Sequence, residues 1–273
     1  MDTQIVAVFC LCDDMLKALH HYQDPQCQMS DAEVMTTAIV AMLHLGGNLE
    51  TARQLLREQG YIPRMLSRSR FNRRWHRLAE LFLTLFNLLG ETWKDLNELS
   101  VYVIDSFPIP ACDNYRIPRS KRYRGEVWRG RQASKKRWFY GLKVHLLVTA
   151  QGQPVEFFLT PGSYSDTSAL QLYTFDLPEG ARIMGDKAYN DYGMEDALHE
   201  AGLELAPLRK KNSKRAIPPW ATYLRSFYRH AIETTGSLLE RLLPHSIHAV
   251  TARGFELKLA IFVLACSINC LPW

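Results

Sequence analysis

The stretch Leu99-Ser100-Val101-Tyr102-Val103-Ile104-Asp105-Ser106 marks where the sequence changes character. Val101 to Ile104 is an apolar run of β-favouring residues without polar alternation. A strand that is apolar on both faces is covered on both faces, so it belongs in the middle of a sheet. Asp105 stands at its end. Moving outward, Trp138 to Thr149 alternates, with Leu142, Val144, Leu146 and Val148 on one face. Gln151-Gly152-Gln153 makes a turn, and Val155 to Thr160 returns as a second strand of a hairpin. A helix is expected over Asp166 to Phe175. A short strand, Ile183-Met184-Gly185, leads into Asp186. A helix over Tyr192 to Ala201, a strand over Leu203 to Leu208 and a long helix from Tyr223 to Leu243 complete the order. Strands and helices in this succession predict an α/β fold, a mixed sheet flanked by helices.

Before Leu99 the sequence is helical in pattern. Ser30 and Glu33 have capping-box spacing ahead of the run Val34 to Leu45, which Gly46-Gly47 stops. Leu49 to Gln59 forms a second expected helix, closed by Gly60. A third follows Ser67-Arg68-Ser69-Arg70-Phe71 and runs to about Leu89. Arg70, Arg73, Arg74 and Arg77 share one of its faces. Leu78, Leu81, Phe82, Leu85 and Phe86 form its apolar stripe. Short helices ending in an arginine-faced one resemble a helix-turn-helix reader of DNA. The plain alternative is a solvated helix face in a bundle.

Bulk composition sets limits. Of 273 residues, 47% are hydrophobic, which suits a folded domain plus a smaller partner. Lys and Arg total 33 against 28 Asp and Glu, so the net charge is only +5 and its distribution matters more than its size. The six cysteines form no paired zinc-finger framework and read as reduced thiols. The start has no signal-peptide pattern. The longest apolar run, Leu259 to Cys266, is far short of the ~20 residues of a membrane span and reads as a buried C-terminal helix.

Three acids carry the chemical argument. Asp105 and Asp186 each follow a strand, and Glu233 lies on the long helix. Breaking a phosphodiester needs an activated nucleophile and a stabilised leaving oxygen, and two divalent ions can supply both. Mg²⁺ takes oxygen ligands, so roughly three carboxylates on rigid elements suffice. Arg229, four residues before Glu233, shares its helix face and can steady the carboxylate. Alone, each acid has an ordinary explanation, a turn cap for the aspartates or a surface pair for the glutamate. Asp166, after Ser165, reads as a helix N-cap. Asp191 lies several residues past its strand, and Asp113 has no rigid placement.

Between Arg116 and Arg137 stand ten basic residues: Arg116, Arg119, Lys121, Arg122, Arg124, Arg129, Arg131, Lys135, Lys136 and Arg137. Glu126 is the only acid there, and Tyr115, Tyr123 and Trp128 are interleaved. Such a loop can neutralise phosphates while aromatic faces stack on unpaired bases. The alternative is a solvated loop. A second cluster, Arg209, Lys210, Lys211, Lys214 and Arg215, precedes the Glu233 helix. Lys143 and His145 share the strand face opposite the apolar one, facing either DNA or solvent. Lys187 could contact a phosphate or lie on the surface.

The Ile104-Asp105-Ser106 strand, the Gly185-Asp186-Lys187-Ala188-Tyr189 turn and the Arg229-x-x-x-Glu233 helix resemble those of the DDE transposases of bacterial insertion sequences. So do Phe139-Tyr140-Gly141-Leu142-Lys143-Val144-His145 and the stretch Ser246 to Glu256. The resemblance spans about residues 30 to 270. It implies a ribonuclease H-like fold and Mg²⁺ or Mn²⁺ held by Asp105, Asp186 and Glu233. It also implies hydrolysis at the element's ends, then attack of a 3′-hydroxyl on target DNA, without a covalent protein–DNA intermediate. Many relatives carry Tyr-x-x-Arg-x-x-x-Glu-x(6)-Lys on this helix. Here Ser226 and Glu240 occupy the Tyr and Lys slots, and Gly236 lies within the helix, where it costs ~1 kcal/mol against alanine.

The expectations are therefore a helical, DNA-reading domain over 1–98 and a catalytic domain over 99–273. The partners would be terminal inverted repeats and target DNA, bound by a homo-oligomer, a dimer being the simplest. Arg229 and Lys187 would join the basic segments in contacting DNA. The setting would be cytoplasmic, at the nucleoid when DNA-bound, with no membrane contact. Two alternatives stand beside this: a ribonuclease H-like nuclease or resolvase without strand transfer, and an inactive DNA-binding descendant of a transposase.

Overall fold

In the computed structural model, which describes residues 1–132 and 136–272, the decisive stretch is the first part of a twelve-residue strand, β1 (Val101–Cys112). After it come β2 (Arg129–Gln132), β3 (Arg137–Thr149), β4 (Pro154–Pro161), β5 (Arg182–Gly185) and β6 (Glu204–Pro207). They form one six-stranded mixed sheet, ordered β2-β3-β1-β5-β6, with β4 also paired to β3. β3 is antiparallel to β1, β2 and β4, whereas β5 is parallel to both β1 and β6. Tyr102, Val103 and Ile104 are at most 1% exposed, as a central strand requires. The fold is the expected mixed α/β one, a sheet flanked by helices with a helical N-terminal region.

β1 runs well past its expected end, through Pro108 and Pro110. Proline cannot donate to a ladder and is tolerated where one side of a strand is unpaired. β1 pairs with β5 only from Val101 to Val103, so beyond that point only β3 is bonded to it. The prolines therefore occupy a locally one-sided strand.

Helices α1 (Asp2–Ala18), α2 (Asp31–His44), α3 (Leu49–Glu58), α4 (Arg68–Arg77) and α5 (Ala79–Asp95) precede β1. Helices α6 (Asp166–Leu170), α7 (Tyr192–Glu200), α8 (Pro219–Leu242) and α9 (Ala252–Ile268) follow or intersperse the strands. The capping box at α2 forms as expected: Glu33 N–H donates to Ser30 Oγ at 3.1 Å, and Ser30 N–H to Glu33 Oε2 at 2.6 Å. The expected arginine helix to Leu89 is in fact two helices. The chain turns at buried Leu78, whose N–H reaches back to Trp75 O at 3.2 Å. The helix expected over 166–175 ends at Leu170. The chain leaves it so that the Tyr173 hydroxyl can donate to Glu156 Oε2 (2.9 Å) and Phe175 can be buried.

Two compact units result. One combines Met1–Leu89 with Leu239–Trp273, and the other is Gly90–Leu238. The first is helical. Its centre is α2, packed on α1, α3, α4 and α9. The buried C-terminal helix expected from Leu259 to Cys266 is the middle of α9. Spatial grouping thus differs from a single cut after residue 98, because α9 is too apolar to stand alone and packs with the N-terminal helices. The second unit holds the whole sheet.

Candidate active site

β1 and β5 are parallel neighbours, and their last paired residues are Val103 and Met184. Two residues beyond each stands an aspartate, Asp105 on β1 and Asp186 after β5. The strands lead in opposite directions across the sheet from here: β1 next pairs with β3, β5 with β6. Carboxyl ends of parallel strands at such a reversal open a crevice that binds ligands in α/β proteins. The register therefore sets the two aspartates at equivalent positions, near enough for the charge of Asp186 to act on Asp105.

Asp105 is half-buried. Burial pushes its carboxyl up to about 6, and the negative charges of Asp186 and Asp166 push the same way. The N–H of Ser106, donating to Asp105 Oδ1 at 2.8 Å, and the Arg229 guanidinium oppose the rise. Asp186 caps the short 3-10 turn Lys187–Tyr189, its Oδ1 accepting from Ala188 N–H at 2.6 Å. It is at once the expected strand-end acid and a turn cap.

Glu233 lies on α8. The helix comes close to β1 because Gly236 has no side chain: a methyl group there would stand 2.6 Å from Phe107 Cζ. Arg229 Nη2 approaches Glu233 Oε1 at 3.5 Å, and His230 Nδ1 approaches Oε2 at 3.4 Å. The Arg229 charge also favours the ionised form of Asp105. Among the described residues, no three His, Cys, Asp or Glu side chains are close enough to hold one metal ion. Asp105 and Asp186 fit an oxygen-preferring divalent cation, which would offset their mutual repulsion. Glu233 is turned to Arg229 and His230 instead.

Behind Asp105, on the other face of β1, is a polar cluster that sequence reasoning missed. Ser106 Oγ donates to Asp166 Oδ1 at 2.7 Å. Lys143 Nζ reaches the same oxygen at 3.2 Å and Tyr164 O at 2.8 Å. The N-cap of α6 is Ser165, which accepts from Ser168 N–H, so Asp166 does not cap the helix as expected. His145 faces neither DNA nor solvent. It is 0% exposed, bonded to Thr160 Oγ1 at 3.0 Å and stacked on Phe158. Tyr189 is likewise fully buried, beside His145 and Ser106. Asp191, several residues past β5, caps α7 by accepting from Met194 N–H.

The basic candidates separate by exposure. Arg70, Arg73 and Arg77 are exposed on α4, as is Arg68. Arg74 is not on that open face: it is half-buried and bonded to the buried Asp31 at 2.8 and 2.9 Å, which also accepts from His21. Beyond β1 the expected loop is built from 3-10 turns over Asn114–Arg119 and Glu126–Trp128, then β2. Arg119, Lys121, Arg124, Arg129, Arg131 and Lys136 are exposed, Arg129 with Glu126 at 3.1 Å. Arg122 turns inward to Ala111 O. Lys135 lies outside the described residues. Tyr123 is only 3% exposed and packs on Trp128 at 4.4 Å, which removes it from the aromatics free to stack on bases, whereas Tyr115 is exposed. In the second cluster Arg209 and Arg215 are tied to Glu195, while Lys210 and Lys211 are exposed, as is Lys187.

A six-stranded mixed sheet flanked by helices, with a helical N-terminal region, is consistent with a DDE domain of ribonuclease H-like architecture. Residues 97–249 match the family described as Transposase DDE domain, and the chain belongs to that family. Membership makes DNA its partner. No curated protein and no solved structure matches the chain. Among the described residues, no helix is long and apolar enough to cross a membrane.

Proposed function

We propose that this chain is an insertion-sequence transposase that cuts DNA at the element's ends and joins the freed 3′-hydroxyl to target DNA. The observation that carries the reading is the equivalent placement of Asp105 and Asp186 beyond the last β1–β5 pair, inside the family match. A bound Mg²⁺ or Mn²⁺ would polarise the scissile phosphate and sharpen the attacking oxygen, and Asp105 and Asp186 would hold it. Glu233 is the third carboxylate of the set. Its side chain orients the attacking water or 3′-hydroxyl once Arg229 is drawn toward a DNA phosphate, where a guanidinium binds bidentately. Lys187, exposed beside Asp186, steadies the strand being cut. Exposed cations on α4 (Arg70, Arg73, Arg77), on the segment after β1 (Arg119, Lys121, Arg124, Arg129, Arg131) and before α8 (Lys210, Lys211) neutralise phosphates along the duplex. A dimer on paired ends completes the proposal.

The test is cleavage of element-end duplexes in Mg²⁺ and in Mn²⁺ by wild type, Asp105→Ala, Asp186→Ala and Glu233→Ala. Each variant is expected to lose cutting by at least ~10³-fold, since a charge-stabilising group in a phosphoryl-transfer site contributes on that order. Cutting at the wild-type rate by all three sinks the assignment. Pre-cut ends supplied with target DNA separate strand transfer from simple hydrolysis.

A further inference from the structure

Asp105 stands on a stretch of β1 that has lost its β5 partner, so only β3 holds it through the ladder. Successive side chains of a strand point to opposite faces. Phe107, and hence Asp105, faces α8, because Phe107 lies against Gly236. Ser106 points the other way. There its hydroxyl meets Asp166, which comes from α6, sixty positions along the chain. Lys143 of β3, paired with Pro108 and so on the Ser106 face, holds the same Asp166 oxygen and is itself fixed by Tyr164 O. Asp166 and Lys143 are both well shielded, with side chains 17% and 15% exposed. The backbone N–H of the residue so anchored is the one that donates to Asp105 Oδ1 at 2.8 Å.

We propose that Asp166, acting through Ser106 and seated by Lys143, is a positioning residue that fixes the Asp105 carboxylate from the opposite face of the sheet. The inference rests on the function proposed above. The anchor supplies the restraint that β5 no longer gives beyond Val103. It sets the direction of the Ser106 N–H, and with it the rotamer in which Asp105 meets Asp186. Asp166 is not itself a metal ligand in this arrangement, because its charge is already matched by Lys143 and its Oδ1 is taken twice. A salt bridge serving only the fold would stabilise the chain but leave ion binding untouched. Partners that orient a metal's ligands change metal affinity or activity by about 10–100-fold when removed.

The experiment uses the full chain without DNA, titrated with Mn²⁺ and followed by electron paramagnetic resonance, together with thermal melting and single-turnover cleavage. Asp166→Asn and Ser106→Ala are expected to weaken Mn²⁺ binding by about 10–100-fold. Ser106→Thr, which keeps the hydroxyl, is expected to retain wild-type affinity. The double variant Asp166→Asn/Ser106→Ala is expected to be no weaker than either single one, because the two act as one unit. Unchanged Mn²⁺ affinity in Asp166→Asn, alongside its loss in Asp105→Ala, overturns the positioning role and leaves the function standing. Loss in Asp166→Asn equal to that in Asp105→Ala, with Ser106→Ala unaffected, overturns it in favour of direct ligation. If Asp105→Ala binds Mn²⁺ and cuts like wild type, the proposed function fails and takes this inference with it. Should Asp166→Asn melt below the assay temperature, Ser106→Ala against Ser106→Thr decides alone: equal affinity overturns the proposal.

Discussion

His145 is a buried imidazole whose neighbours favour the neutral form. Burial lowers its pKa to about 4 from an ordinary 6.5, with Lys143 acting in the same sense and Asp166 against it. Thr160 and Tyr189 face its ring nitrogens, and Phe158 covers its face. The unfolded chain therefore takes up a proton near pH 6.5 that the folded chain refuses until about pH 4. Stability from this residue is complete above 6.5, falls as pH drops through that window, and is flat below it. Asp105, raised to about 6, slopes the other way over part of the same range, so the comparison must be a difference. Denaturant midpoints from pH 7 to pH 4 are expected to fall more steeply for wild type than for His145→Gln. Parallel curves would show that His145 does not titrate across folding.

At the scale of elements, the close contact of α8 with β1 depends on Gly236. By propensity alone, alanine would stabilise the helix by ~1 kcal/mol. The added methyl group would press on the Phe107 ring, and overpacking of this kind costs about 1–3 kcal/mol. The balance predicts that Gly236→Ala lowers stability by up to ~2 kcal/mol. Adding Phe107→Leu should recover part of the loss. A urea midpoint that instead rises, with an unchanged slope, would refute the packing argument. In sequence, Gly236 looks like a defect of the helix that carries Glu233; in space it lets that helix approach. The same divide runs through the site. The place of Asp105 and Asp186 just past the β1–β5 pairing was legible because an apolar run ending in an acid is a local pattern. Pro108 and Pro110 hid the rest of β1, since their tolerance depends on where β5 stops pairing. Asp166 looked like a cap because Ser-Asp-Thr-Ser is cap chemistry, and its partner on β1 is far away in the chain. His145 looked exposed because strand alternation does not say what covers the second face; here Thr160, Phe158 and Tyr173 do.

For the molecule as a whole, the two compact units decide which fragments can fold. A cut after residue 98 follows the change from helical to strand pattern, but it leaves α9 on the other piece. α9 buries Phe255, Leu257, Leu259, Ile261, Phe262, Val263, Leu264 and Ile268, and α2, its partner, is buried from Ala32 to Met42 except for Glu33. Each fully buried side chain of that size contributes about 1.5–3 kcal/mol. Losing even half of them would match the 5–15 kcal/mol by which a typical domain is stable. Fragment 1–98 is therefore expected to lack cooperative unfolding, with weak helical circular dichroism and exposed apolar surface. A peptide spanning 247–272, added in trans, should restore a cooperative thermal transition, and its α9 Leu259→Asp, Phe262→Asp variant should not. A fragment 1–98 that melts cooperatively by itself would mean that α1 to α5 hold their own core without α9. The family match ends at residue 249, before α9 begins, so the helix that completes the N-terminal unit lies outside the matched segment. Truncation at that limit should consequently cost the fold of α1 to α4 first, with terminal-repeat binding lost along with it if those helices read DNA.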